Sequence, residues 1–192
     1  MKTIFFTLFF GLTTLTIAQP SQHLSFKGVP IDGTLTEFVS KMKQSDFTHL
    51  GTEEGVAILK GDFAGYKNCQ VGVSTLKQKD LVYKIGVLFP EADTWSKLSE
   101  NYFELKQKLT EKYGKPSECI EKFEGYSQTQ DDNRKIHAVQ FDLCKYYSIW
   151  QTDKGEIQLS IDHESVRSCF VKLLYFDKIN SAIINAKAID DL

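Results

Sequence analysis

Two stretches alternate apolar and polar residues with a period of two, Cys69-Val71-Val73-Thr75 and Leu81-Tyr83-Ile85-Val87-Phe89. Alternation of this kind sends every second side chain to the same side of a strand. Each run therefore has one buried and one wet face, which is the signature of half-buried antiparallel strands. Six other runs read as strands: His23–Ile31, Phe47–Thr52, Val56–Leu59, Ser117–Phe123, Glu156–His163 and Cys169–Phe176. A longer run, Ile136–Trp150, reads as one more.

The period changes to that of a helix in three places. Thr34-Leu35-Thr36-Glu37 has the spacing of a capping box, and Leu35, Phe38, Val39 and Met42 follow as an apolar stripe. Asp93 or Thr94 can cap a second helix, whose stripe is Trp95, Leu98, Tyr102, Leu105 and Leu109. Gly114 stands where a left-handed stop belongs, and Pro116 forbids continuation. A closing helix runs from Lys178 to about Ile189, with Ile179, Ile183, Ala186 and Ile189. The order is helix and then four antiparallel strands, stated twice. We therefore expect an α+β fold built as a tandem repeat of a helix plus a four-stranded meander. Residues 19–92 form the first repeat, and residues 93–192 the second with its C-terminal helix. The longer second half takes its extra residues in a Gly125–Lys135 hairpin loop.

The N-terminus carries an address. Lys2 precedes an apolar run from Ile4 to Ile17, and Thr16-Ile17-Ala18 offers small residues before Gln19-Pro20. Gly11, Thr13, Thr14 and Thr16 break the run, so it is a poor membrane span. Residues 1–18 read as a signal peptide cleaved near Ala18/Gln19, which makes the chain periplasmic or secreted. No cysteine follows the apolar run, which argues against a bacterial lipid anchor. The formal net charge is −2, with no block of Lys or Arg, so neither nucleic acid nor an anionic membrane is an expected partner. No later apolar run is long enough for stable membrane insertion.

The four cysteines are Cys69, Cys119, Cys144 and Cys169, an even number that suggests disulfides in an oxidising compartment. A hairpin turning through Gly125–Lys135 places Cys119 opposite Cys144 on the ladder. Cys69 and Cys169 then pair by elimination. None forms a CxxC pair, so neither zinc nor thiol–disulfide exchange is indicated.

The order of elements resembles the β-lactamase-inhibitor-protein fold, in which tandem helix-plus-four-strand units form one curved sheet with helices on one face. Each half is also similar to the small lipoprotein of the outer-membrane barrel-assembly machine. The stretch Leu24-Ser25-Phe26-Lys27-Gly28-Val29-Pro30-Ile31-Asp32-Gly33-Thr34 and the helix exit Lys112-Tyr113-Gly114-Lys115-Pro116 look like those of secreted and periplasmic proteins of Bacteroides-type bacteria. The resemblance implies a fold and no activity.

No HExxH, GxSxG, GxxxxGK[ST] or GxGxxG pattern occurs, so no catalytic residue, cofactor or metal is expected. Asp162-His163-Glu164 is the one compact acid–histidine cluster. Neighbouring strand residues point apart, so it reads as a hairpin end, and Asp131-Asp132-Asn133 reads as a polar loop tip. Alternation sends Val71, Val73, Tyr83, Ile85, Val87, Ile157, Leu159, Ile161, Val171 and Leu173 towards the helices. Lys84, Tyr146, Trp150, Gln158 and Lys172 then fall on the open face, where aromatic anchors among polar residues suit recognition of a protein partner. The expected function is a non-enzymatic binding or inhibitor-like module. A structural or assembly factor of the cell envelope is the alternative, and a hydrolytic enzyme without a recognisable motif ranks third.

Overall fold

A computed structural model of the protein describes residues 22–76, 79–125, 131–165 and 168–190, without the side chains of 187–190. The proposed signal peptide, residues 1–18, lies outside them.

The chain does not begin with one strand over His23–Ile31. Two short strands, β1 (Ser25–Phe26) and β2 (Val29–Pro30), fold onto each other with Phe26 opposite Val29. Lys27 and Gly28 both take positive φ, 49° and 80°, as a two-residue turn matched to strand twist requires. Helix α1 (Leu35–Gln44) starts at the expected capping box: the Thr34 hydroxyl accepts from the Glu37 amide, and the Glu37 carboxylate accepts from the Thr34 amide. It buries Phe38, Val39 and Met42. Four antiparallel strands follow as a meander: β3 (Thr48–Glu53), β4 (Val56–Phe63), β5 (Tyr66–Leu76) and β6 (Leu81–Leu88).

Helix α2 (Trp95–Tyr113) buries its whole expected stripe. Thr94 caps it, and Asp132 reinforces the cap by accepting from the Trp95 and Ser96 amides and the Ser96 hydroxyl. Gly114 ends the helix with φ 85° but ψ −169°, so the backbone leaves it extended rather than in the left-handed helical conformation anticipated. Strand β7 (Glu118–Phe123) follows.

The expected long strand from Ile136 and the Gly125–Lys135 loop are corrected at this point. A helix, α3 (Asp132–Gln140), occupies much of both, started by the Asp131 carboxylate, which accepts from the Asn133 and Arg134 amides. Asp131-Asp132-Asn133 is thus a helix start and not a loop tip. Strand β8 (Cys144–Thr152) begins eight residues later than expected, and the ladder register moves with it. Cys119 faces Ser148, and Cys144 faces Phe123. Cys119 and Cys144 are therefore out of register for a bond, and all four cysteines are free thiols. Cys69 and Cys169 are buried as small apolar residues.

Strands β9 (Gly155–Ser165) and β10 (Ser168–Asp177) complete a second meander, and α4 (Lys178–Asp190) follows directly. The eight long strands form one antiparallel sheet in the order β3-β4-β5-β6-β10-β9-β8-β7. The two meanders meet at β6 and β10, where Ile85 faces Tyr175 and Val87 faces Leu173. The core contains Val71, Val73, Ile85, Val87, Ile157, Leu159 and Leu173 together with the buried stripes of α1 and α2. Gly155 allows the β8–β9 turn to pass under β10: a Cβ there would sit 2.1 Å from the Phe176 carbonyl oxygen. At the far end of β10, the fully buried Asp177 carboxylate accepts from the Leu24 and Asn180 amides and contacts His23 Nδ1 at 3.0 Å. The Asn180 side chain donates to the Ile31 and Val82 carbonyls. The first and last described segments are fastened together there.

Candidate functional site: a strand-lined groove

The alternate residues of the central strands build a surface from aligned rows. One row runs Ile58, Gly72, Gly86, Leu174, Gln158 and Ile149 across β4, β5, β6, β10, β9 and β8. On one side of it lies the row Lys60, Gln70, Leu88, Lys172, Ser160 and Tyr147; on the other lies Val56, Ser74, Lys84, Phe176, Glu156 and Gln151. Cross-strand partners share a face, so these residues crop out together.

The paired glycines lower the middle of this surface. Leu174 leans over Gly86, its Cδ2 3.2 Å from where a Cβ would stand, and Val56 lies 3.6 Å from the same point at Gly72. The result is a groove of about 620 Å³ floored by Ile58, Leu88 and Leu174 and edged by Gln70, Ser74, Lys84 and Lys172. Phe170 and Asp162 are paired on β10 and β9 at one end. Lys172 is held by Asp162 across the strands. Lys84 sits 6.0 Å from the centre of the Phe176 ring, and among the described residues no carboxylate pairs with it. The groove thus combines an apolar floor with amide and hydroxyl groups and one ammonium not neutralised by a salt bridge.

Lys84, Gln158 and Lys172 lie on these rows, as the alternation requires. Tyr146 and Trp150 do not. Trp150 faces Ile157, is 1% exposed, and donates from Nε1 to the Gly114 carbonyl at 2.9 Å. Tyr146 packs edge-on against Trp95 and Tyr102, with centroids 4.9 and 5.8 Å away. Ser148, between them, is fully buried and shares a 2.8 Å hydrogen bond with the Tyr102 hydroxyl. Trp150 is part of the core and Tyr146 packs half-buried against that core, and Tyr147, Ile149 and Gln151 take the outer positions in their place. Alternation alone does not choose the face of β8, because CKYYSIWQT carries Tyr and apolar residues on both alternating sets. The Tyr147 hydroxyl donates to Glu118 at 2.5 Å, and this carboxylate raises its pKa.

Asp162 and His163 point apart, the first to Lys172 and the second to Asp142 at 3.1 Å. Among the described residues, no three His, Cys, Asp or Glu side chains are grouped to hold a metal ion. No described helix is long and apolar enough to cross a membrane. Cys119 lies apart from the groove, 3.1 Å from Lys106 Nζ, which also pairs with Glu121 at 2.5 Å. Comparisons with protein-family models, curated proteins and solved structures found no match to this chain.

Proposed function

We propose that this protein is an exported, non-enzymatic binding module that holds a segment of a protein partner in the strand-lined groove. The observation that carries this reading is that, among the described residues, strand residues alone line the groove. An apolar floor left without a covering helix favours association, and the surrounding amide, hydroxyl and ammonium groups give it direction. In this reading the two meanders form a tandem with α1, α2 and α3 packed on one face of a curved sheet, leaving the groove on the other for the partner. Export rests on the apolar run near the N-terminus, and a cleaved signal would release the chain to the periplasm or medium.

The test is affinity capture from the periplasm and medium with the parent protein and with the Leu88→Glu/Lys84→Glu variant. Both substituted side chains lie on the groove, so the thermal midpoint should stay close to the parent's. A partner retained by the parent and lost by the variant supports the reading. Equal recovery by both, or recovery abolished instead by Phe103→Ser on exposed α2, moves the working surface elsewhere and overturns it.

A further inference from the structure

A second cavity, of about 180 Å³, lies beneath the last turns of α2, against β4 and β10. Leu105, Leu109, Leu173 and Phe63 give it apolar walls, and the exposed Lys108 and Lys112 stand at its mouth. An apolar cavity of about 150 Å³ is already sufficient to hold benzene.

Tyr175 contributes a polar group to the same wall. It is 4% exposed, yet among the described residues no group makes a hydrogen bond with its hydroxyl. The oxygen is not sealed from solvent, so the hydroxyl can donate to a molecule that enters the cavity. Burial, with a smaller contribution from the neighbouring Tyr113, raises the pKa of Tyr175, so the group remains a donor through the neutral range. Lys108 is engaged: it pairs with Glu104 at 2.6 Å and donates to the Ala64 carbonyl at 3.1 Å, pinning the β4–β5 turn over the cavity. Lys112 rests 4.9 Å from the centre of the Tyr113 ring, and no carboxylate among the described residues pairs with it. Apolar walls, a phenol hydroxyl with no acceptor among the described residues and the Lys112 ammonium at the entrance define the complement of one kind of molecule.

We propose that this cavity binds a small organic monocarboxylate with a ring-sized hydrocarbon body. The body fills the space between Leu105, Leu109 and Leu173. A carboxylate oxygen accepts from the Tyr175 hydroxyl, and Lys112 supplies the countercharge. The site is separate from the groove on the sheet and does not depend on it.

Benzoate is the probe, followed by the methyl NMR signals of Leu105, Leu109 and Leu173 in the intact protein. Saturable shifts of these three residues are expected, with Tyr175→Phe weakening binding about tenfold or more, as loss of a hydrogen bond to a charged group does. Without benzoate, Tyr175→Phe should melt no lower than the parent, because it removes only a hydroxyl that lacks a partner. Lys112→Met should also weaken benzoate, and it carries the test should Tyr175→Phe fail to fold. Toluene, of the same size but uncharged, should bind more weakly than benzoate. Absence of the shifts, benzoate binding indifferent to both substitutions, or toluene bound as tightly as benzoate would each overturn the proposal.

Discussion

Truncating Trp150 tests which way β8 faces. The indole is 1% exposed and donates to the Gly114 carbonyl. Replacing a buried Trp by Ala costs about 3–5 kcal/mol through lost transfer energy and the cavity left behind. The lost hydrogen bond adds about 1 kcal/mol. Against a total stability of about 5–15 kcal/mol, the loss is a large fraction. For a chain of this size it lowers the thermal midpoint by roughly 8–24 °C. Far-UV circular dichroism in urea and heat is the suitable assay, because the substitution removes one of two tryptophans and so changes the fluorescence signal itself. Trp150→Phe should fall between parent and Trp150→Ala. Tyr147→Ala, on the other face of the same strand, should cost under about 1 kcal/mol. If Trp150→Ala melts within about 2 °C of the parent while Tyr147→Ala unfolds, the face assignment of β8 is reversed.

Two further outcomes follow from the titratable groups. The hydrogen bond from the Ser96 hydroxyl, with those from the Ser96 and Trp95 amides, holds the Asp132 carboxyl below its ordinary value of 3.8. A depressed folded pKa stabilises the fold above the ordinary value, and that stability is lost as pH falls through the lower folded value. Urea midpoints at pH 7 and pH 3 should therefore differ less for Asp132→Asn than for the parent, and an unchanged difference would refute this role. Among the thiols, exposed Cys119 should react first with iodoacetamide. Burial lifts Cys69 to about 11 and Cys144 to about 12, and also raises Cys169, so these three should react slowly until the protein unfolds. Peptide mass spectrometry reads the order; uniform labelling of all four in the folded protein would contradict it.

What the sequence revealed depended on how many signals agreed at each place. In α2, the stripe from Trp95 to Leu109, the Thr94 cap and the Gly114–Pro116 exit all point to one helix. In α1, the capping box and stripe coincide. Strands β5, β6, β9 and β10 alternate over their middles, where Lys84, Gln158 and Lys172 were legible from parity alone, but a register shift at Ser74/Thr75 turns Val82 inward in place of Tyr83. Around Ile136 the signals compete. Ile136-His137-Ala138-Val139 satisfies a period of two as readily as a helical one, and only the Asp131 cap, together with the grip of Asp132 on α2, decides for α3. That choice sets where β8 begins, and the two-sided pattern of CKYYSIWQT leaves open which of its tyrosines faces inward. The mistaken cysteine pairing came from the same place. The groove floor depends on Gly72 meeting Gly86, a register that single-strand periodicity does not contain.

The knot at Asp177 and Asn180 has a consequence for how the chain comes together in time. His23 and Leu24 emerge early in synthesis, but the carboxylate that receives them comes near the end of the chain. The seam between β6 and β10 waits equally long, since β10 must arrive before the two meanders can join. Contacts so distant along the chain close slowly, because the intervening segment must be ordered before they form. A nascent chain of this protein therefore stays open at its centre until its last strand has appeared, and a chain stopped before Ser168 keeps an unsealed β6 edge that invites pairing with its neighbours.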